Sequence, residues 1–303
     1  MALTKLSSTD AFIVTDGGNA DAPATGVVRT GKKILQSSAG DLARSVSYSF
    51  AAFEVQRVGA SAGINAENEA VSPATEAFVG EVLDRVQAGG LQIDPGKGTD
   101  PAALSALAEA AKRPTMAGSL EATAAGVVAA GAWVNGGSLD GATFAMEGVG
   151  PVVDQVLADL NAAGATQVEV PGVDKKPWMI WGAKADLVFA GSKPGTLTHQ
   201  GAPFVKAKAI VPWGPIPFTT KAFAELNRNG VVMVPDFLSA AGGLLPGNAN
   251  GAAETPADIA ALVTAALEAS VHDDGILLGA CYRAEAFIAT WLGEALFGRP
   301  LAA

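Results

Sequence analysis

Gly148 and Gly150 stand between a short apolar run, Thr143 to Met146, and a segment in which Val152, Val153, Val156, Leu157 and Leu160 recur at helical spacing. Gly164 closes that helix ahead of Val168 and Val170, so the stretch reads as strand, glycine turn, helix, strand. A tight strand-to-helix turn aims unpaired backbone N–H groups and the positive end of the helix dipole at an anion, usually a dinucleotide pyrophosphate. Gly148, Val149, Gly150, Pro151 and Val152 are therefore the candidate cofactor-binding residues, with a nucleotide as the first ligand to consider. The dinucleotide pattern puts a third glycine where Val153 stands and an acid where Gly172 stands, with Asp174 two residues on. A bare GxG turn also occurs as simple packing, so alone it supports the fold better than the ligand.

Other reactive side chains are few. Cys281 is the only cysteine, which excludes an intramolecular disulfide, and two histidines, His199 and His272, supply no Cys/His metal cluster. No metal is expected. His199, in LTHQG, reads as a loop residue, or as a general base following a strand end. Lys97, Lys175, Lys176 and Lys184 read as solvated charges, with Lys175 or Lys176 also placed to meet a phosphate. Trp178, Trp181 and Trp213 read as core or cleft packing, and Cys281 as core filler.

The elements that must position these residues follow from the pattern. Phe12 to Val14 and Val27 to Val28 flank a loop rich in glycine, proline and aspartate, as strands joined by a turn do. Asp41 to Phe53 is an amphipathic helix, and residues 59–65, GASAGIN, read as a small-residue turn. Next come a helix over Glu76 to Val86, a strand from Leu91 to Asp94 before Pro95-Gly96, and helices over Pro101 to Ala111 and Ser119 to Val134. Beyond the glycine turn, Asp186 to Ala190, Ala209 to Val211 and Val231 to Val234 are short apolar runs, with a helix over Thr220 to Asn227. Such alternation predicts a doubly wound parallel sheet. Thr255 to Asp258 is a capping box opening a helix to about Ser270, and a last helix spans Gly279 to Phe297.

Composition bounds the rest. With 303 residues, 49% hydrophobic and 17% charged, the chain is a packed globular protein long enough for two domains. A net charge of −10 argues against nucleic acid or an anionic membrane as partner. No apolar run of signal or membrane-spanning length occurs, which predicts a cytoplasmic protein.

Val205 to Leu245, VKAKAIVPWGPIPFTTKAFAELNRNGVVMVPDFLSAAGGLL, is similar to a segment of the glutamate/leucine/phenylalanine/valine dehydrogenase family. In that family the segment runs from the fourth nucleotide-domain strand to an asparagine-alanine-glycine-glycine turn. LARSVSYSFAAFEVQRVGASAGI, residues 42–64, resembles the family's substrate helix and glycine turn, and Ser119 to Val152 its helix leading into the dinucleotide turn. The resemblance implies an α/β protein of two domains with a cleft between them. The first is a substrate and oligomerisation domain, residues 1 to about 122, rejoined by the C-terminal helix 277–303. The second, residues 123–276, is a Rossmann-like nucleotide-binding domain. It further implies NAD(P), a small-molecule substrate, a homo-oligomer, and removal of hydride from the alpha carbon of an amino acid with water replacing the imine.

That chemistry uses one lysine to hold the substrate carboxylate, a second to activate water, and an aspartate to shuttle protons. The positions matching the lysines are Ser49 and Ser61, and the position matching the aspartate is Asp94. A serine hydroxyl neither neutralises a carboxylate nor acts as a base near neutral pH without an activating neighbour. The turn asparagine is Ala240, whereas Thr123, Gly148, Gly150, Gly242 and Gly243 are kept, and the stretch between Val170 and Trp178 is short for the family. Ser49 and Ser61 read as neutral fillers of vacated lysine sites, as the lining of a pocket remade for an uncharged substrate, or one of them as a nucleophile. Asp94 reads as a turn former or as the proton shuttle. Two functions follow: a remodelled NAD(P)-dependent oxidoreductase whose substrate is not a standard amino acid, and a non-redox homologue acting as a binding or structural subunit.

Overall fold

The computed structural model describes residues 1–111, 120–248, 255–293, 296 and 298–302. The chain divides into two compact units, Met1–Gly118 with Glu285–Pro300, and Ser119–Ala284 with Leu301–Ala303. The fold is α/β in both.

The first unit contains β1 (Ala2–Lys5), β2 (Ala11–Thr15), β3 (Ala24–Gly31), α1 (Gln36–Ala52), β4 (Val58–Asn65), α2 (Val71–Gln87), β5 (Leu91–Pro95) and α3 (Ser105–Ala111). Its sheet has the order β1-β2-β4-β3-β5, with β1, β2 and β4 antiparallel in turn and β4, β3 and β5 parallel. Residues 59–65, expected as a turn, lie within β4, a central strand of the sheet. The small residues are there because α1 packs against the strand backbone. A Cβ at Gly59 would lie 1.8 Å from the Ala43 carbonyl oxygen, and one at Gly63 would lie 2.7 Å from the Phe12 ring.

Side-chain alternation splits this sheet into two unlike faces. One carries Ala11, Ile13, Ala24, Val28, Ala60, Ala62, Ile64, Leu91 and Ile93, packed with Phe78, Val82 and Val86 of α2 in one apolar core. The other carries Ser61, Val27 and Asp94 in one cross-strand row and Gly63 and Arg29 in the next. That second face is mixed: Phe12 and Val14 of β2 pack there with Ala39 and Ala43 of α1, beside the polar side chains of Ser61, Asp94 and Arg29.

The second unit contains α4 (Leu120–Val134), β6 (Thr143–Met146), α5 (Pro151–Ala162), β7 (Thr166–Gln167), β8 (Leu187–Ala190), β9 (Ala209–Pro212), α6 (Thr220–Arg228), β10 (Val232–Met233), α7 (Asp236–Ser239) and α8 (Pro256–Glu268). A last helix, α9 (Ile276–Leu292), follows, ending short of the expected Phe297, which lies outside the described residues, as does Ser119. The five strands are all parallel in the order β10-β9-β8-β6-β7, the Rossmann-like pattern in which successive connections leave β6 in opposite directions. Phe144 and Phe189 meet edge to face at 5.7 Å in its core, a contact worth about 0.5–1.5 kcal/mol beyond burial. The strand expected through Val168 and Val170 pairs only over Thr166–Gln167, with a final ladder bond from the Val168 N–H to the Phe144 carbonyl, 2.8 Å. Beyond Val168 the chain leaves the sheet, and a 3-10 helix, Pro177–Gly182, replaces an α-helical crossover. The capping box at Thr255 is present, both side chains bonding each other's backbone N–H. No helix of the described residues is long and apolar enough to cross a membrane.

Candidate functional site

In open α/β sheets ligands bind outside the carboxyl ends of the strands, where connections diverge, here the ends of β6 and β8. Gly148 (φ +98°) and Gly150 (φ +127°) both occupy conformations that side chains rarely adopt, which is why the turn is built from glycine. Pro151 is the first residue of α5, and no side chain caps the helix. Val149 is 89% exposed, and a Cβ on Gly150 would meet nothing within 4 Å. This edge of the turn is open to an anion. Val153, at the expected third glycine, is buried in the core, so α5 stands on its strand through a valine side chain.

The other edge of the crevice is filled by the chain itself. The Glu147 carboxylate accepts hydrogen bonds from the N–H groups of Gly191 (2.9 Å) and Ser192 (3.1 Å) and from the hydroxyls of Ser192 and Thr196. Four donors from the loop after β8 thus converge on one internal anion. The Trp213 indole N–H donates to the Glu147 carbonyl (2.8 Å), and its ring lies so close to Gly148 that a Cβ there would stand 2.5 Å from it. Gly191 and Gly214 allow the loops after β8 and β9 to touch backbone to backbone, since a Cβ on Gly191 would lie 2.2 Å from the Gly214 nitrogen. The loop that carries Trp213 is pinned by Asp236, whose buried carboxylate accepts the Ile216 N–H at 2.9 Å. Ile216 is held at φ +52°, a conformation costing a β-branched residue about 1–3 kcal/mol. The placement of the indole is therefore enforced.

Thr123 and Ala240 belong to the same unit. Gly242, two residues past Ala240, packs against α4 so that a Cβ would lie 3.1 Å from the Thr123 Cα. Ala240 ends α7 and presents only a methyl group.

In the first unit, Ser61 and Asp94 share one cross-strand row with Val27 between them. Ser61 is fully buried and its hydroxyl has no hydrogen-bond partner; Asp94 is 3% exposed. Ser49 is buried on α1 and donates to the Ser45 carbonyl of its own helix (3.1 Å), a use that satisfies the hydroxyl without a ligand. The residue not anticipated is Arg29, in the row beside Ser61. Its Nη1 donates to the Ser38 hydroxyl (3.1 Å), while Nε and Nη2 are buried without a partner. Desolvation holds its pKa below the usual arginine value. An arginine inside the apolar strand pattern Val27-Val28-Arg29-Thr30 was the available signal. Likewise Glu147, an acid directly before a turn built for anions, was the signal for the internal carboxylate.

His199 and the four lysines at 97, 175, 176 and 184 are exposed, and Trp181 and Cys281 are buried. Among the described residues no three His, Cys, Asp or Glu side chains come together as a metal site.

No family model and no curated protein matches the sequence. Solved structures do. The hetero-hexameric glutamate dehydrogenase of Thermus thermophilus, in its leucine-bound form, superposes with a TM-score of 0.75 at 19% identity, over 93% of this chain and 87% of that one. The L-tryptophan dehydrogenase of Nostoc punctiforme gives 0.70 at 19% identity over 95% and 96%, and a glutamate dehydrogenase of Plasmodium falciparum 0.70 at 14% over 92% and 79%. The chain has the two-domain fold of the amino acid dehydrogenases.

Proposed function

We propose that the chain is an NAD(P)-dependent oxidoreductase built on the amino acid dehydrogenase fold, acting on a small molecule other than a standard amino acid. The observation that carries this is the open edge of the Gly148–Val152 turn at the point where the strand order reverses. Free N–H groups, an uncapped helix terminus and an exposed Val149 fit a diphosphate there. A nicotinamide dinucleotide would supply a hydride acceptor, and Gly148, Val149, Gly150 and Val152 are the residues that would hold its diphosphate. Thr123 and Ala240 flank the same unit's α4 contact, and Asp94 is the candidate proton carrier of the first unit. The serines at 49 and 61 make deamination through a lysine-activated water the reaction least compatible with the chain. In keeping with this reading, the first unit is assigned the substrate and homo-oligomer contacts and the protein a cytoplasmic place.

Titration of the purified protein with NADH and NADPH tests the reading through quenching of its five tryptophans. Saturable binding in the micromolar range is expected, and no response at millimolar cofactor overturns it.

A second reading is favoured by Glu147 and Trp213, which together occupy the crevice that the rest of a dinucleotide would extend into. In it the chain is a non-redox homologue that binds a phosphate-bearing ligand by the open edge alone. ADP-ribose, which lacks the nicotinamide, then binds as tightly as NADH.

A further inference from the structure

In the second unit Phe144, Phe189, Phe218 and Phe237 are buried, whereas Trp178 and Phe204 stand 55% and 54% exposed. Their rings meet each other at 6.2 Å, inclined by 47°. The crossover from β7 to β8 leaves them open, because a 3-10 helix of six residues, Pro177–Gly182, stands where an α-helix would lie across the sheet. Phe204 ends a second such turn, Ala202–Phe204, ahead of β9. Both rings, with Val170 and Met179, line a cavity of about 490 Å³, within the about 300–1,000 Å³ of small-ligand sites. The charged residues of its lining are one acid, Glu169, and one base, Lys184, and neither side chain has a hydrogen bond or ion pair among the described residues. Neither the Gly148–Val152 turn nor the loop after β8 lines this cavity. Lys184 and Phe204 come just ahead of β8 and β9, at the amino ends of parallel strands, whereas the glycine turn follows the carboxyl end of β6.

We propose that this cavity is a second binding site, for a small zwitterion with an aromatic body: its ring lies against Trp178 and Phe204, its cationic group toward Glu169 and its anionic group toward Lys184. The ligand class follows from the lining. Two inclined rings offer a third one an edge and a face together, and the Met179 sulfur adds a polarizable contact. An anion alone would answer Lys184 but meet Glu169 as a like charge, and a cation alone would meet Lys184; a molecule carrying both charges matches both. One lysine beside an acid also disfavours a phosphate dianion. The site goes beyond the oxidoreductase reading and is independent of it: a chain that binds no dinucleotide keeps the cavity, and a chain whose cavity stays empty can still bind NADH at the turn.

The test is calorimetry on the full-length protein with four probes that share a phenyl group and differ in charge: L-phenylalanine, 3-phenylpropanoate, 2-phenylethylamine and 3-phenylpropan-1-ol. The indole N–H resonance of Trp178, assigned by its loss in Trp178→Phe, reports where they bind. L-Phenylalanine is expected to move that resonance and to bind about two- to fivefold more tightly than either singly charged probe, the advantage of an exposed charge pair. Glu169→Gln should bring it down to the level of 3-phenylpropanoate, and Lys184→Gln to that of 2-phenylethylamine. Trp178→Ala should weaken every probe at least about tenfold. The three side chains are exposed, and thermal melts establish that each variant is folded. A silent Trp178 resonance at millimolar L-phenylalanine, or affinity unchanged in Trp178→Ala, would overturn the proposal by placing the binding elsewhere. Equal affinity of the four probes, or self-association that Trp178→Ala abolishes, would overturn it in favour of a purely apolar contact or a second copy of the chain.

Discussion

The two units treat charge in opposite ways. In the first, two guanidinium nitrogens of Arg29, Nε and Nη2, are enclosed without an acceptor; in the second, Glu147 puts an anion into a ring of four donors at the end of a parallel sheet. Donors in one fold can thus be left unmatched in the interior or matched from within, and only where they are matched at an open sheet end must an entering ligand compete for them. The cost structure differs accordingly. Arg29 lowers the stability of the ligand-free unit, whereas Glu147 raises that of its own and lowers the affinity of anything entering beside it.

The comparison breaks most readily at Glu147. Glu147→Ala strips the acceptor from two backbone N–H groups and two hydroxyls, and should lower stability by about 2–3 kcal/mol. Added sulfate should restore part of the melting temperature by taking the vacated nest; a variant as stable as wild type and blind to sulfate contradicts the internal-anion account. Gly148→Ala comes next. Its φ of +98° and the ring 2.5 Å from the new Cβ predict a loss of about 1–3 kcal/mol in a chemical melt. Combined with Trp213→Ala, the penalty should shrink, and strict additivity would show that the ring is elsewhere. Trp213→Ala alone should raise NADH affinity several-fold and leave ADP-ribose unchanged, as read by calorimetry. Smallest is Ser61→Ala, expected within about 1 kcal/mol of wild type and on the stabilising side in ligand-free protein, because it removes an unpaired buried hydroxyl. A clear destabilisation would mean the hydroxyl has a partner.

Much of this architecture was legible in the residues. The strand, glycine turn and helix from Thr143 to Ala162 follow from apolar spacing and two glycines, and the capping box at Thr255 from a four-residue signature. The strand over residues 59–65 was not legible, because small residues that let a helix approach a strand read in one dimension like a turn. The second strand of the Rossmann-like sheet was overextended for a different reason: Val168 and Val170 carry strand propensity, but pairing stops ahead of Pro171. The candidate sites were half legible. The turn residues 148–152 form one open edge as the pattern implies, and Ser61 and Asp94 share a row. Ser49, by contrast, spends its hydroxyl on its own helix. What the sequence could not deliver was pairing: whether Arg29 finds a carboxylate as Arg44 does, or whether Glu147 points to water or into the nest, depends on contacts between residues up to 49 positions apart.

The most direct measurement compares NADH with ADP-ribose on the same wild-type protein by calorimetry. Both should bind through the open turn, with NADH the tighter because its nicotinamide half gains contacts beyond the diphosphate. ADP-ribose binding as tightly as NADH, or neither binding at all, would contradict an oxidoreductase and leave Glu147 and Trp213 as the permanent occupants of the crevice.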